Sequence, residues 1–519
     1  PAALHAEWLA RAPYYAGQAA HGNSSRGQAY KLLSEAQIWA RRLDMAEITD
    51  KVPALLAQLL QELGDSQEAA RIWQERFANQ QPAMAQSVSC EHAFLLDSYA
   101  WGYLQALEAR RDEPAAHGAV PGYPLFSQVV AGAGSLQDVL RATLTAFKRC
   151  QQPASEIARI HRNLAWAEVL GGTPQQAEAW LLAADRISLT KAPPVAQLAE
   201  QLTLHGRIAQ AQGQGRPALK AYKRLEEMAS QALMLESKWS AIIGQAEALR
   251  LLGEDNLAAA EFARAEALLS SPDLAVNLCQ DDQDRSRSQD PHFLSGCISA
   301  SMTMQRFQRG TRLYLDLLLS AGRKQEALQT LRLARARSLA AWQLARRIRK
   351  LSGAERKSWQ EALGRYGESR KKSAELAAKN WHGSTENVAL VEADLQAAAN
   401  QANEDFRSLL KSLPTAQTQS SDLPDVSETE ALFTCHSLTS RWACLARYGT
   451  RIEVLHVPNE LFSKLRRCAP PPCPRDKQPG YLQQLVELPA DSQTGAWQLE
   501  LRADPGAKRP DRMASRRRW

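Results

Sequence analysis

A spaced pattern of a small residue, glycine, alanine and an aromatic or leucine recurs along the first two thirds of this 519-residue chain. In its clearest copy, Gly206 precedes Gly213, Ala218 and Tyr222 at intervals of seven, five and four residues. The other copies are Gly64, Ala69 and Trp73; Ala165, Gly172, Ala177 and Leu181; Ala246, Gly253, Ala258 and Phe262; and Leu315, Gly322, Ala327 and Leu331. Small residues let two helices cross closely, and a glycine takes the positive φ that ends the first helix. Because one helix pair cannot bury its apolar face alone, the pattern predicts stacked pairs.

This spacing of small, glycine, alanine and aromatic residues resembles the tetratricopeptide repeat. The clearest copies are about 40 residues apart, compared with the usual repeat of about 34 residues, which predicts longer helices or loops. We therefore expect a mainly α fold, with a tetratricopeptide-like α-solenoid over residues 1–345.

The composition changes after the last repeat. Arg332–Lys350 holds seven Arg or Lys and no acid, and the stretches 354–380 and 386–413 have the pattern of two long polar helices. Three β-like runs follow, ALFTCHSL, RWACLARYG and RIEVLHVP, separated by turn residues. We predict a helical hairpin and linker over 346–420, a small incomplete α/β segment over 421–501, and a disordered basic tail over 502–519.

This order of parts resembles bacterial proteins in which tetratricopeptide repeats precede a CHAT domain, a caspase- and separase-like cysteine protease module. The matching pieces are the repeats, the helix RLARARSLAAWQLARR, the hairpin, and ETEALFTCHSLTSRWACLARYGTRIEVLHVP, which is similar to the opening meander of such a domain. The resemblance implies a catalytic His at one strand end and a catalytic Cys ending a later strand, both downstream of the meander. Neither motif occurs here, so we assign no catalytic residue and expect the CHAT-like domain to be incomplete in this chain.

The resemblance implies a protein-interaction scaffold that recognises a protein or peptide and regulates or delivers the protease module. Tetratricopeptide arrays bind peptides on a concave face lined by the first helix of each pair. Counting from the anchor glycines places seven residues on that face: Arg159, Arg162, Trp166, Thr203, Arg207, Glu247 and Arg250. The arginines suit a peptide that carries acidic groups, because charge-assisted hydrogen bonds are the strong ones.

Two other functions compete with this prediction. An active CHAT-family cysteine endopeptidase would need His382 and Cys435, 53 residues apart, to converge; yet His382 follows a Lys-rich helix and does not end an apolar strand. A nucleic-acid-binding regulator would use the basic stretches 332–350 and 502–519. These stretches carry +7 and +5 and leave about −5 on the rest of a chain whose net charge is +7, so nucleic acid is not the expected partner.

The cysteines and the hydropathy pattern bear on location and cofactors. The eight cysteines are scattered, and Cys90 and Cys150 have no neighbouring cysteine, which indicates reduced thiols in a cytoplasmic protein. Cys468 and Cys473 flank a Pro run without a second Cys or His pair, so no metal site and no other cofactor is predicted. No apolar run of about 18 residues occurs, so we expect no membrane insertion.

Overall fold

The computed structural model is mainly helical, which confirms this part of the fold prediction. It describes residues 2–22, 26–63, 65–78, 82–84, 87–111, 120–171, 173–188, 195–270, 296–334, 337, 351–382, 388–411, 431–438, 441–458 and 501–502. The chain divides into two compact units, one of Pro1–Arg111, Ala115–Phe307 and Arg337–Ala416, the other of Asp112–Pro114, Gln308–Ala336 and Gln417–Trp519. The tail beyond Arg502, most of the basic stretch 332–350, Cys468 and Cys473 lie outside the described residues, so the predictions for them stay predictions.

Helices account for nearly all of the described residues before Ala431. They are α1 (Ala2–Gly22), α2 (Arg26–Arg42), α3 (Ala46–Leu63), α4 (Ser66–Ala78), α5 (Cys90–Ala109), α6 (Phe126–Val129), α7 (Leu136–Arg149), α8 (Ala154–Gly171), α9 (Pro174–Ser188), α10 (Val195–Ala211), α11 (Gly215–Gln231), α12 (Leu235–Leu251), α13 (Asp255–Leu269), α14 (Gly296–Ser320), α15 (324–334), α16 (Gly353–His382) and α17 (Val388–Lys411). Helices that follow one another along the repeats pack together, as α8 does with α9, α10 with α11 and α12 with α13. None of these helices is both long and apolar enough to cross a bilayer.

The repeat glycines end helices as predicted. Gly213, Gly253 and Gly322 have φ values of 72°, 76° and 73°, and each follows the first helix of its pair. This left-handed conformation costs a residue with a side chain roughly 1–2 kcal/mol, whereas glycine adopts it freely. The prediction is confirmed at these three turns, while Gly64 and Gly172 lie outside the described residues.

The aromatic position of the clearest repeat is the centre of its packing. Tyr222 of α11 is 2% exposed and lies between Gly206 of α10 and Gly244 of α12. A methyl group added at either glycine would lie 2.5 Å from Tyr222 Cζ, so only glycine leaves room for this ring. The Tyr222 hydroxyl donates to Gln210 Oε1 at 3.0 Å, and Gln210 Nε2 donates to the Gly244 carbonyl at 3.1 Å. Tyr222 thus joins one helix pair to the next.

Three other helix pairs turn without glycine. Asp44, Gln151 and Leu233 have φ values of 53°, 52° and 54° at the turns α2–α3, α7–α8 and α11–α12. The spacing rule missed these turns because it depends on glycine. Their helices pack all the same, so tertiary burial offsets the local backbone strain.

A disulfide between Cys90 and Cys150 corrects the prediction that both are reduced thiols. Cys90 is the first residue of α5, Cys150 caps the end of α7, and their Cα atoms are 5.9 Å apart. Their separation of 60 positions in the sequence hid the pairing from any spacing rule. Because disulfides are rare in reducing compartments, the predicted cytoplasmic location loses the observation on which it rested.

Opening this disulfide is expected to lower the free energy of unfolding of α5–α7 by about 2 kcal/mol, the lower end of the usual range, because Leu96, Phe147 and the surrounding core still hold the two helices. The measurement is amide hydrogen exchange with and without dithiothreitol, which can reach the bond because Cys90 is exposed. A Cys90→Ser/Cys150→Ser variant should show the lower stability in both conditions. A wild-type chain that is indifferent to reductant would contradict this expectation.

The hairpin of α16 and α17 packs against the helices of the repeat region. Leu395 of α17 belongs to the same buried cluster as Tyr222, and Leu376 of α16 packs against that cluster. The Ser373 hydroxyl also donates to the Gln231 carbonyl at the end of α11, at 3.0 Å. The hairpin therefore lies in the first compact unit, beside α10 and α11.

The second unit contains an antiparallel meander. Its strands are β3 (Ala431–Ser437), β4 (Arg441–Tyr448) and β5 (Arg451–Pro458), so the three predicted strands are confirmed. A two-residue strand β6 (Leu501–Arg502) pairs with β3 and gives the order β5-β4-β3-β6. In the first unit, two-residue strands β1 (Ala83–Met84) and β2 (Val130–Ala131) form a parallel pair. The sequence pattern missed β1, β2 and β6, because two residues cannot establish an alternation.

One arginine of the basic stretch 332–350 is buried. The guanidinium of Arg337 donates to Glu266 of α13, and the two side chains are 9% and 8% exposed. A nucleic-acid-binding regulator would use this stretch on the protein surface, but the guanidinium of Arg337 is withdrawn from it. It instead pairs with an acid of its own chain.

Candidate functional site

Helix α5 and the first helices of three repeats, α8, α10 and α12, form one layer of the first unit. Helix α5 contacts α8, α8 contacts α10, and α10 contacts α12, whereas α9 and α11 lie between them in sequence. We call this surface the first-helix layer. All seven residues predicted to bind a partner lie on three of its helices: Arg159, Arg162 and Trp166 on α8, Thr203 and Arg207 on α10, and Glu247 and Arg250 on α12.

Five side chains of this layer meet in what we call the inner charge cluster: Glu108, Arg111, Trp166, Arg207 and Glu247. Glu108 Oε2 accepts from Arg207 Nη1 at 2.8 Å and from Trp166 Nε1 at 3.2 Å. The Arg207 guanidinium also lies over the Trp166 ring, 5.3 Å from its centroid. Arg111 Nη2 donates to both carboxylate oxygens of Glu247, at 3.1 and 3.3 Å. Arg111 and Glu108 form a further ion pair of 3.6 Å, which links the two halves.

The charged side chains of the cluster are withdrawn from water but not sealed. Their exposed fractions lie between 14 and 22%. Two arginines and two glutamates balance, so the cluster has no net charge of its own. Below it, burial raises the pKa of Tyr222 well above its ordinary value, so this phenol stays neutral. At such depth a hydrogen bond to a charged group contributes about 1.5–3 kcal/mol.

A second ion-pair group lies on the same layer, between α5 and α8. The buried carboxylate of Asp97 accepts from the guanidinium of Arg159, and from Asn163 Nδ2 at 3.3 Å. Arg159 pairs with Glu156 as well. Burial raises the pKa of Asp97, although the positive charge of Arg159 acts in the opposite direction. The group fastens α8 to α5.

The remaining predicted residues differ in accessibility. Arg162 is only 2% exposed, and its Nε donates to Glu200 at 2.9 Å. The Thr203 hydroxyl donates to the carbonyl of Ala199, one turn earlier in its own helix. Arg250 is exposed near the end of α12. The structure thus brings Trp166, Arg207 and Glu247 together, while Arg162 is occupied inside the protein.

Sequence reasoning missed two members of the cluster, Glu108 and Arg111. Glu108 lies in the last turn of α5 and Arg111 just past its C-cap, and this helix lacks the glycine and alanine spacing on which the face was counted. Their partners Arg207 and Glu247 are 99 and 136 residues away in sequence. The only local signal was the run of charges Glu108, Arg110 and Arg111, which is equally typical of a solvated helix end.

Three histidines and one cysteine outside the inner charge cluster carry groups that cysteine-protease chemistry could use. His161 is buried with its ring against Trp180, and His205 pairs with Asp185 at 3.1 Å. His382 is the last residue of α16, and Cys435 faces Cys444 in the β3–β4 ladder. Cys444 is disulfide-bonded. The side chains of His382 and Cys435 lie outside the described residues, so their convergence stays untested.

No group of three or more His, Cys, Asp or Glu side chains in the described part of the chain has an arrangement that could hold a metal ion. A comparison with protein-family models and with curated proteins found no match for this chain. The inner charge cluster is therefore the candidate site, on its geometry alone. Its donors and acceptors can bind a polar segment, with a carboxylate against Arg207 and a cation against Glu247.

Proposed function

We propose that this chain is a protein-recognition scaffold, a tetratricopeptide-like α-solenoid whose first-helix layer binds a segment of a partner protein. The observation that carries the proposal is the inner charge cluster, in which α5, α8, α10 and α12 each contribute to one partly exposed site. Side chains fixed on helices lose little further freedom on binding, so such a site suits peptide recognition.

The chemistry of the cluster favours a partner segment that carries charge of both signs. Arg207 and the Trp166 indole present donors to a carboxylate, and Glu247 presents a bidentate acceptor to a guanidinium. A purely acidic peptide, which the count of arginines first suggested, would use only half of this site.

The C-terminal meander has its own place in the proposal. Strands β3–β5 form an antiparallel meander over the stretch whose sequence resembles the opening of a CHAT domain. We propose that partner binding regulates or delivers a caspase-like protease module. The match is one of pattern, so no catalytic residue is assigned.

Losing one charge of the cluster is expected to weaken peptide binding about tenfold to hundredfold, the equivalent of one partly desolvated charge-assisted hydrogen bond. Peptides are selected from a random displayed library on the immobilised chain, and the dissociation constant of the best one is measured by calorimetry. The variants are Arg207→Gln and Glu247→Gln, which keep the side chains polar and similar in length.

The matched control is Arg216→Gln, because Arg216 is exposed on α11, away from the first-helix layer. It should bind the selected peptide as the wild-type chain does. Arg162 is left unchanged, since its replacement would disturb a buried ion pair. Selected peptides whose affinity is the same for all three variants would place recognition outside the cluster and defeat the proposed function.

A further inference from the structure

The inner charge cluster joins side chains from three helices of the first-helix layer to two residues from the end of α5. Three of the five side chains lie on consecutive helices of the first-helix layer: Trp166 on α8, Arg207 on α10 and Glu247 on α12. Glu108 and Arg111 come instead from the end of α5. Arg111 reaches Glu247 on α12, although α8 and α10 lie between α5 and α12 in the order of contacts. The end of α5 therefore extends over the layer rather than merely packing beside its neighbour.

The two groups of the α5 end complement the site in charge and spacing. Glu108 fills the position that offers two donors, from Arg207 and Trp166, and Arg111 fills the position that offers the Glu247 carboxylate. The two residues are three apart and are joined by a turn, in which the Arg111 backbone N–H donates to the Glu108 carbonyl at 3.2 Å. The residues that occupy the site therefore indicate which side chains it accepts: an acidic residue and, three residues later, an arginine.

We propose that Glu108 and Arg111 are a built-in competitor for the partner site, and that the partner segment carries the same pair, an acidic residue followed three residues later by a basic one. This inference rests on the proposed function and adds to it the partner's chemistry and a form of self-inhibition. A partner must exchange two intramolecular ion pairs for two intermolecular ones. When the partner is bound, Glu108 no longer pairs with Arg207 on α10, and Arg111 no longer pairs with Glu247 on α12.

Competition within one chain has a measurable consequence. A tethered group acts at an effective concentration on the order of millimolar, so it suppresses any ligand that uses the same donors. Removing the competitor must strengthen binding, whereas removing the site must abolish it. These two changes alter the same ion pairs but have opposite effects, which separates competition from a loss of structure.

The test uses the chain's own segment, residues 101–111 (WGYLQALEARR), as a free peptide. We expect a Glu108→Gln/Arg111→Gln chain to bind it about tenfold or more tightly than the wild-type chain, as measured by fluorescence anisotropy. Adding Arg207→Gln and Glu247→Gln to that variant should remove the gain. A peptide with the residues at 108 and 111 exchanged has the same composition and should not bind tightly.

Equal affinity of the wild-type and competitor-free chains for the peptide, or equal affinity for the exchanged peptide, would overturn the inference. Circular dichroism checks the helical content of each variant, and Glu108→Gln alone serves as a second, milder variant with a smaller gain expected. Library peptides that need Arg207 but bind no better without Glu108 and Arg111 would defeat the inference and leave the proposed function intact. If the affinity of no library peptide depends on Arg207 or Glu247, the inference and the proposed function both fail.

Discussion

A chain with alanine at both Gly206 and Gly244 is expected to lose about 4 kcal/mol of stability in the region α10–α12. Each new methyl group would lie 2.5 Å from Tyr222 Cζ, closer than any van der Waals contact allows. The ring cannot move away, because it is fully enclosed and its hydroxyl is held by Gln210. Overpacking at one such site costs about 1–3 kcal/mol, and here two clashes act on one side chain. Native-state amide hydrogen exchange measures the free energy of opening of these helices.

Two further variants make this expectation specific. Tyr222→Leu in the doubly substituted chain removes the ring and should recover part of the loss, since the two effects share one partner. Gly364→Ala is the matched control, because Gly364 lies inside α16 with no atom near its would-be Cβ. It should raise stability by about 0.5–1 kcal/mol through helix propensity alone. A doubly substituted chain as stable as the wild type would show that α10 and α12 do not pack through Tyr222.

The parts of the fold that follow from local rules were predictable. The turns at Gly213, Gly253 and Gly322 need a positive φ, and that need is visible in the sequence. The burial of Tyr222 followed from its place after Ala218, and the meander followed from alternating apolar runs. Each of these features depends on residues close together in the chain.

The features that sequence reasoning missed depend on residues far apart. The Cys90–Cys150 disulfide spans sixty residues, and Arg111 lies 136 residues from Glu247. No spacing rule connects such residues, because their meeting depends on how the helix pairs stack. The turn at Leu233 was missed for a different reason, since its side chain gives no sign of a positive φ that only packing imposes.

Only three of the five residues of the candidate site were predicted, because spacing along one helix does not show which helices meet. Counting along the helices placed Trp166, Arg207 and Glu247 on one layer, and the structure brings these three together. The count cannot tell which arginines are free to bind a partner, because that depends on nearby acids such as Glu200 and Glu108. Arginines in a repeat helix therefore indicate a surface only after the chain's own carboxylates are located.

Replacing Arg337 with methionine is expected to lower the stability of the helices around α13 by about 3–5 kcal/mol. The substitution removes the guanidinium that pairs with the buried carboxylate of Glu266, and breaking a buried ion pair by removing one partner carries this penalty. Hydrogen exchange of α13 is the measurement. Arg323→Met is the control, since Arg323 and Glu326 form an exposed pair that contributes about 1 kcal/mol or less.

A chain with both Glu266→Leu and Arg337→Met should recover most of this loss, because apolar groups of similar volume can replace a buried ion pair without leaving a charge behind. The comparison also decides between two roles for the basic stretch 332–350. If Arg337→Met leaves α13 as stable as before and instead weakens binding of an acidic partner, the arginine serves recognition. If stability falls and the double substitution restores it, Arg337 is a structural anchor, and the charge that first suggested an anionic partner is in part neutralised inside the protein.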